Sequence, residues 1–155
     1  MAKEKKAQVK VKVGIESLWR TMTKDLALVV PKIAPTVVES MEVIEGDGGL
    51  GSLFLLHLCI GASKKLQKEK IVELDESTYR FGIQVVEGPA LTRGSFSTLT
   101  STFQVSAVGE KESLVDVNVV YQTDRQDQAI IEEMAIQPPL NFILGLEKFL
   151  LQLSE

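Results

Sequence analysis

One cysteine, Cys59, and one histidine, His57, are all that the 155 residues offer of either type. A single cysteine excludes an internal disulfide. A zinc site of the Cys/His type needs more ligands than these two supply. A histidine-dependent triad would have to use His57, and no serine or cysteine stands beside it in a recognisable nucleophile motif. No apolar run reaches the roughly 18 residues needed to cross a membrane. The opening Met1-Ala2-Lys3-Glu4-Lys5-Lys6 lacks the apolar core of a secretory signal. Together these gaps predict a protein of a reducing compartment, the cytoplasm, with no metal, no cofactor and no membrane partner. Excess positive charge is also missing. The formal net charge is −4, which argues against nucleic acid as a partner, because phosphate binding draws on a concentrated basic surface. The one basic stretch (Lys3, Lys5, Lys6, Lys10, Lys12) reads as a solvated strand face or a protected sheet edge.

What is present fits a globular protein. Apolar residues make up 45% and charged residues 25%, an ordinary balance for a single domain over residues 1–155 with a substantial core. The most informative segment is Val43-Ile44-Glu45-Gly46-Asp47-Gly48-Gly49-Leu50-Gly51-Ser52. Its glycines invite comparison with a phosphate cradle, but the spacing argues otherwise. A Walker loop places Lys-Ser or Lys-Thr after its last glycine, and a dinucleotide fingerprint opens a helix. Here Ser52-Leu53-Phe54-Leu55-Leu56 follows, an apolar run suited to a strand. The segment is read as a tight strand-to-strand turn.

Periodicity gives the order of elements. Gln8 to Val13 alternates polar and apolar residues, as a half-buried strand does. Ile15, Leu18, Trp19, Met22, Leu26, Val29 and Val30 recur at helical steps. They predict two short helices with a break near Asp25, closed by Pro31 and Pro35. Six strands follow: Val37 to Glu45, Ser52 to Ile60, Lys64 to Leu74, Tyr79 to Glu87, Ser95 to Ala107 and Ser113 to Tyr121. Short turn-rich links join them, which predicts an antiparallel meander. The last thirty residues return to helical spacing in two stripes. Ile130, Ile131, Met134 and Ala135 form one, and Leu140, Ile143, Leu144, Leu146, Phe149, Leu150 and Leu153 the other. Between them Pro138-Pro139 predicts a kink or break, at about 3 kcal/mol or more for a proline in a helix interior. A curved antiparallel sheet gripping a helix can leave a cavity between them.

Several phrases resemble a known family. Val30-Pro31-Lys32-Ile33-Ala34-Pro35 followed by Ile44-Glu45-Gly46-Asp47-Gly48-Gly49-Leu50-Gly51-Ser52 is similar to the plant pathogenesis-related class-ten proteins, the superfamily of the major birch pollen allergen. Leu18-Trp19, Thr23-Lys24-Asp25, Glu73-Leu74-Asp75-Glu76-Ser77, Gly82-Ile83-Gln84-Val85-Val86-Glu87-Gly88, Leu114-Val115-Asp116-Val117 and Leu146-Glu147-Lys148-Phe149-Leu150 extend the likeness. Within the superfamily it lies nearest the cytokinin-specific, phytohormone-binding branch. The resemblance implies an α+β helix-grip fold: a seven-stranded antiparallel sheet wrapped round a long C-terminal helix, two short helices and a large internal cavity. It implies a small hydrophobic ligand, a cytokinin, a gibberellin or a similar molecule.

Gln67 and Glu69 stand two apart on a strand, so their side chains share a face. By pattern alone that face is either the interior or the solvent side among Lys65, Lys68 and Lys70. The resemblance implies that the pair reaches into the cavity and hydrogen-bonds the ligand. It also exposes two departures. On the C-terminal helix the hormone-binding branch offers a threonine and a tyrosine hydroxyl, where this chain has Pro139 and Phe142. That makes the wall greasier and a more apolar ligand more suitable. Met22, Leu26, Phe54, Leu56, Phe81, Ile83, Phe103, Phe142, Ile143 and Leu146 are the apolar wall candidates, each with plain core as its alternative. Enzymes of the superfamily that condense dopamine with an aldehyde use an inward lysine, a tyrosine and a carboxylate. Here Asp116 stands near the place of that lysine, and Ser97-Thr98-Leu99-Thr100 covers the place of the tyrosine. A different acid–base set, drawn from His57, Glu69, Asp116 or Tyr121, would be needed for catalysis. Binding without catalysis is the expected function.

Overall fold

The computed structural model describes residues 2–92 and 95–153. Strand β1 (Lys3–Val11) leads into two short helices, α1 (Ile15–Thr23) and α2 (Leu26–Ile33). Strands β2 (Val38–Glu45), β3 (Leu53–Ile60), β4 (Ser63–Asp75) and β5 (Arg80–Glu87) follow. A one-turn helix α3 (Pro89–Thr92), strands β6 (Thr98–Gly109) and β7 (Glu112–Gln122), and the helix α4 (Gln128–Leu153) complete the chain. The strands form one sheet in the order β1-β7-β6-β5-β4-β3-β2, antiparallel throughout. This is the expected meander, with β1 returning to pair beside β7. Helix α4 lies against β1 and β7 and against α1 and α2. Two polar ties hold it to the first strand's region: the Lys12 backbone N–H donates to the Glu147 carboxylate at 2.7 Å, and Lys5 stands 3.8 Å from Glu132. Gly145 lets α2 approach closely, since a Cβ there would lie 3.2 Å from Ile33 side-chain atoms.

The alternation read from sequence sets the inner face. On β3, Phe54, Leu56 and Leu58 are buried while His57 and Cys59 share the outer side. On β7, Val115, Val117, Val119 and Tyr121 point inward. Strand β1 starts at Lys3 and ends at Val11, earlier at both ends than the alternation from Gln8 to Val13 suggested. Lys3, Lys6 and Lys10 are exposed along this outermost strand, where charge discourages pairing with another chain.

Two expectations about proline change: Pro31 does not close its helix, and Pro138-Pro139 do not break theirs. Helix α2 runs through Pro31 to Ile33. Helix α4 is a single element of 26 residues with Pro138 and Pro139 inside it. Proline's fixed φ is already close to the helical value, so the cost is in lost hydrogen bonds and a steric clash, not in direction. In α4, burial on both sides of the pair offsets that cost: Ile131, Ala135 and Ile136 before it, Ile143 and Leu146 after it. The first predicted stripe holds only in part, because Ile130 and Met134 are exposed. Helix α3, in the segment read as a Gly-Pro turn, was not anticipated.

The glycine segment is a turn between β2 and β3. Gly46, Gly48 and Gly51 have φ of 93°, 95° and 84°, a region that side chains disfavour. Its amides are already engaged. Gly48 N–H donates to Ser52 Oγ at 2.8 Å, Gly49 N–H to the Asp47 carboxylate at 2.9 Å, Gly51 N–H to the Ile71 carbonyl at 2.9 Å and Ser52 N–H to the Gly49 carbonyl at 3.0 Å. The loop is docked on β4, and these four donors are spent within the fold rather than held out for an anion. A Cβ on Gly46 would stand 2.5 Å from Ser52 Oγ. Gly46→Ala is expected to destabilise the fold by about 2 kcal/mol, combining backbone strain with displacement of Ser52. Gly51→Ala, whose Cβ would meet open space, should cost about 1 kcal/mol. Chemical denaturation of both variants measures the difference.

Candidate functional site

Between the sheet and α4 lies a cavity of about 510 Å³, within the roughly 300–1,000 Å³ typical of ligand pockets. Its walls come from β2 to β6 (Met41, Leu56, Leu58, Phe81, Ile83, Val85, Leu99, Phe103), from α2 (Leu26, Val30, Ile33) and from α4 (Ala135, Pro139, Phe142). An aromatic column runs across it: Phe81 stacks near Phe103 with ring centroids 6.2 Å apart, and Phe103 meets Phe142 edge-on at 5.6 Å. Among the lining residues, Val37 beyond α2 and Pro138 and Asn141 on α4 are exposed to solvent.

Four polar side chains stand in this wall: Gln67, Glu69, Ser101 and Asn141. Gln67 and Glu69 lie on the inner face of β4 and are joined to each other, the Gln67 amide donating to the Glu69 carboxyl at 2.7 Å. Two features of neighbouring β5 shape this corner. Lys68 and Glu69 pair with Glu87 and Val85, leaving Val86 as a bulge. Just beyond, Gly88 has φ of 135°, and a Cβ there would lie 2.7–2.8 Å from Gln67 side-chain and Cα atoms. Only glycine allows that approach without moving Gln67. Burial pushes the Glu69 carboxyl above the ordinary value, and the Gln67 hydrogen bond opposes this only in part. No lysine, arginine or histidine is among the described residues lining the cavity, so Glu69 is its one ionisable group.

Of the wall candidates, Leu26, Leu56, Phe81, Ile83, Phe103 and Phe142 line the cavity beside Gln67 and Glu69. Met22, Phe54, Ile143 and Leu146 do not. They are packed in the solid core, none more than 2% exposed. Met22 lies on the buried side of α1, Phe54 sits near the glycine turn, and Ile143 and Leu146 face inward from the part of α4 beyond the cavity. Of the acid–base candidates only Glu69 reaches the interior space. His57 is on the outer face, 3.7 Å from Glu42. Asp116 is also outside and accepts from the Gln8 amide at 2.7 Å. Tyr121 is buried edge-on to Phe96 and away from the lining, and desolvation, with Glu132 second, raises its phenol. Ser101 and Asn141 were missed from sequence. Ser101 sits in the hydroxyl-rich run from Thr98 to Thr102, where alternation puts a hydroxyl on both faces. Among the described residues no cluster of metal-ligating side chains occurs, and no helix is long and apolar enough to cross a membrane.

Residues 1–142 match the profile of the Pathogenesis-related protein Bet v 1 family. Pathogenesis-related protein B of Petroselinum crispum is 26% identical over 78% of this chain and 77% of its own length. Norbelladine synthase of Narcissus pseudonarcissus is 30% identical over 79% of this chain and 76% of its own. Among solved structures, norcoclaurine synthase from Thalictrum flavum, in complex with dopamine and hydroxybenzaldehyde, superposes with a TM-score of 0.79. It is 23% identical, and the superposition covers 98% of this chain and 88% of that one.

The raised carboxyl gives a signed expectation. An unfolded glutamate titrates near 4.3, whereas folded Glu69 keeps its proton to higher pH. The folded chain therefore binds more protons in that window. The stability Glu69 contributes is complete below the unfolded value and is lost as pH rises through the folded one. Glu69→Gln keeps an acceptor for Gln67 and removes the buried charge. In denaturant titrations this variant should be more stable than the parent at pH 7.5, with the difference vanishing near pH 4.

Proposed function

The chain belongs to the Pathogenesis-related protein Bet v 1 family, and on that footing we propose that it binds a small hydrophobic plant hormone or specialised metabolite, a cytokinin, a gibberellin or a similar molecule, within the cavity. The observation that carries this reading is a Gln67–Glu69 pair held at 2.7 Å in a largely apolar chamber. Buried polar groups lacking partners cost on the order of 1–3 kcal/mol each. The pair satisfies itself only in part, leaving acceptor capacity on both side chains for a guest's N–H or O–H. Apolar burial against Phe81, Phe103 and Phe142 supplies the attraction, and Gln67 and Glu69 set the orientation. Pro139 and Phe142 offer no hydroxyl from α4, so orientation falls to the sheet side. The lone thiol, Cys59, half-buried and free, supports a reducing compartment, the cytoplasm, as the place of action.

The charge of the cavity bears on the guest. Among the described lining residues a carboxylic acid such as a gibberellin meets no cation, only a second carboxyl. It binds with at least one of the two protonated. Its affinity should therefore strengthen as pH falls, by at most about tenfold per unit for one linked proton. A guest presenting N–H donors suits Gln67 and Glu69 directly.

An enzymatic alternative draws on the synthase among the relatives. A condensing, cyclising or isomerising reaction would have Glu69 as the single acid or base within reach of a guest among the described residues, since His57 and Asp116 face outward. Incubation with amine and aldehyde pairs, followed by mass spectrometry, separates the two readings: unchanged guests support the carrier, and new products the enzyme. For the carrier, calorimetric titration with a hormone panel should give saturable binding. Gln67→Ala should weaken the best ligand by roughly three- to tenfold, the worth of one hydrogen bond. Gly88→Ala should weaken it in the same sense, because it displaces Gln67. Unchanged affinity in Gln67→Ala would remove that residue from the site.

A further inference from the structure

Among the described residues, Ser101 is the one inward hydroxyl of the cavity wall, and its oxygen has no partner among them. Three buried hydroxyls elsewhere in the fold are engaged. Thr21 donates to the Ser17 carbonyl at 2.8 Å, Thr23 to the Trp19 carbonyl at 2.8 Å and Ser113 to the Val13 carbonyl at 2.7 Å. Ser101 also stands apart from the β4 pair. Glu69 is in register with Val85 on β5, and Ser101 is in register with Ile83 on the same strand. The two polar points are therefore two strands and two residues apart. With strands spaced about 4.8 Å and a rise of about 3.4 Å per residue, that is on the order of 12 Å along the sheet. Apolar side chains (Ile83, Val85 and Leu99) fill the wall around the line between them.

We propose that Ser101 is a second, specificity-determining anchor: the cavity selects an elongated guest with hydrogen-bond donors at one end for Gln67 and Glu69 and a hydroxyl or carbonyl at the other for Ser101. This rests on the reading of the cavity as a binding chamber. A guest polar at one end only leaves the serine hydroxyl facing apolar surface. A guest polar at both ends satisfies it, which discriminates between otherwise equal molecules.

The test uses two purines that differ by one terminal hydroxyl, trans-zeatin and N6-isopentenyladenine, each competing with the neutral fluorophore N-phenyl-1-naphthylamine. The parent protein should prefer the hydroxylated purine by roughly three- to tenfold. Ser101→Ala should abolish that preference while still binding both purines, and an unchanged thermal unfolding midpoint certifies an intact fold. Ser101→Thr, which keeps a hydroxyl, should restore it. A parent protein without the preference, or a preference that survives in Ser101→Ala, overturns the role of Ser101 and leaves the binding chamber standing. Failure of the fluorophore to bind the parent protein brings down the chamber and this inference together.

Discussion

A helix is about 10–12 Å across with its side chains, whereas seven strands spaced about 4.8 Å apart make a sheet nearly 30 Å wide. One helix cannot cover such a face. Helix α4 settles against β1 and β7 and against the two short helices. The inner faces of β3 to β6 are left to curve around unfilled space. The cavity is therefore a product of mismatched widths. Its walls are largely the strands that α4 does not reach.

That arrangement divides the interior into two regions with the same composition and different duties. Beneath α4 the side chains are in close contact and supply stability, with Ile143 and Leu146 fully buried. Under β3 to β6 the side chains face a void and forgo contacts that packing would have given them. The void also holds the one group that is costly to keep there, Glu69. A polar pair held in an unfilled apolar space loses stability that the core beneath α4 must offset. Such a loss is expected where a protein is shaped for a guest.

Much of the architecture was legible because strand alternation and helical spacing are local and periodic. Val9 and Val11, Phe54, Leu56 and Leu58, and Val115 through Tyr121 announced their inward sides directly. The glycine segment gave away its turn through what followed it. The wall was harder to read. Leu56 lines the cavity and Phe54, two residues away on the same face, is solid core. Nothing in residue type separates them, since the difference depends on how far a distant helix extends. Gln67 and Glu69 were ambiguous for the opposite reason: lysines surround them in sequence, and only the docking of β4 between β3 and β5 puts them inside. Ser101 hid within a run of hydroxyl residues. Pro138-Pro139 do not end the helix: the local penalty is real, but the burial that offsets it comes from residues on both sides.

The tandem prolines leave a mark on α4 even though they do not end it. Neither can donate an amide proton, so the carbonyls of Met134 and Ala135 have no donor four residues on. Two rungs are missing from the ladder at the stretch where Ala135, Pro138 and Pro139 border the void. Bending stiffness there rests on side-chain packing rather than on backbone bonding. Mechanically, the rod is two stiff spans with a softer joint between them, and that joint forms part of the chamber's wall.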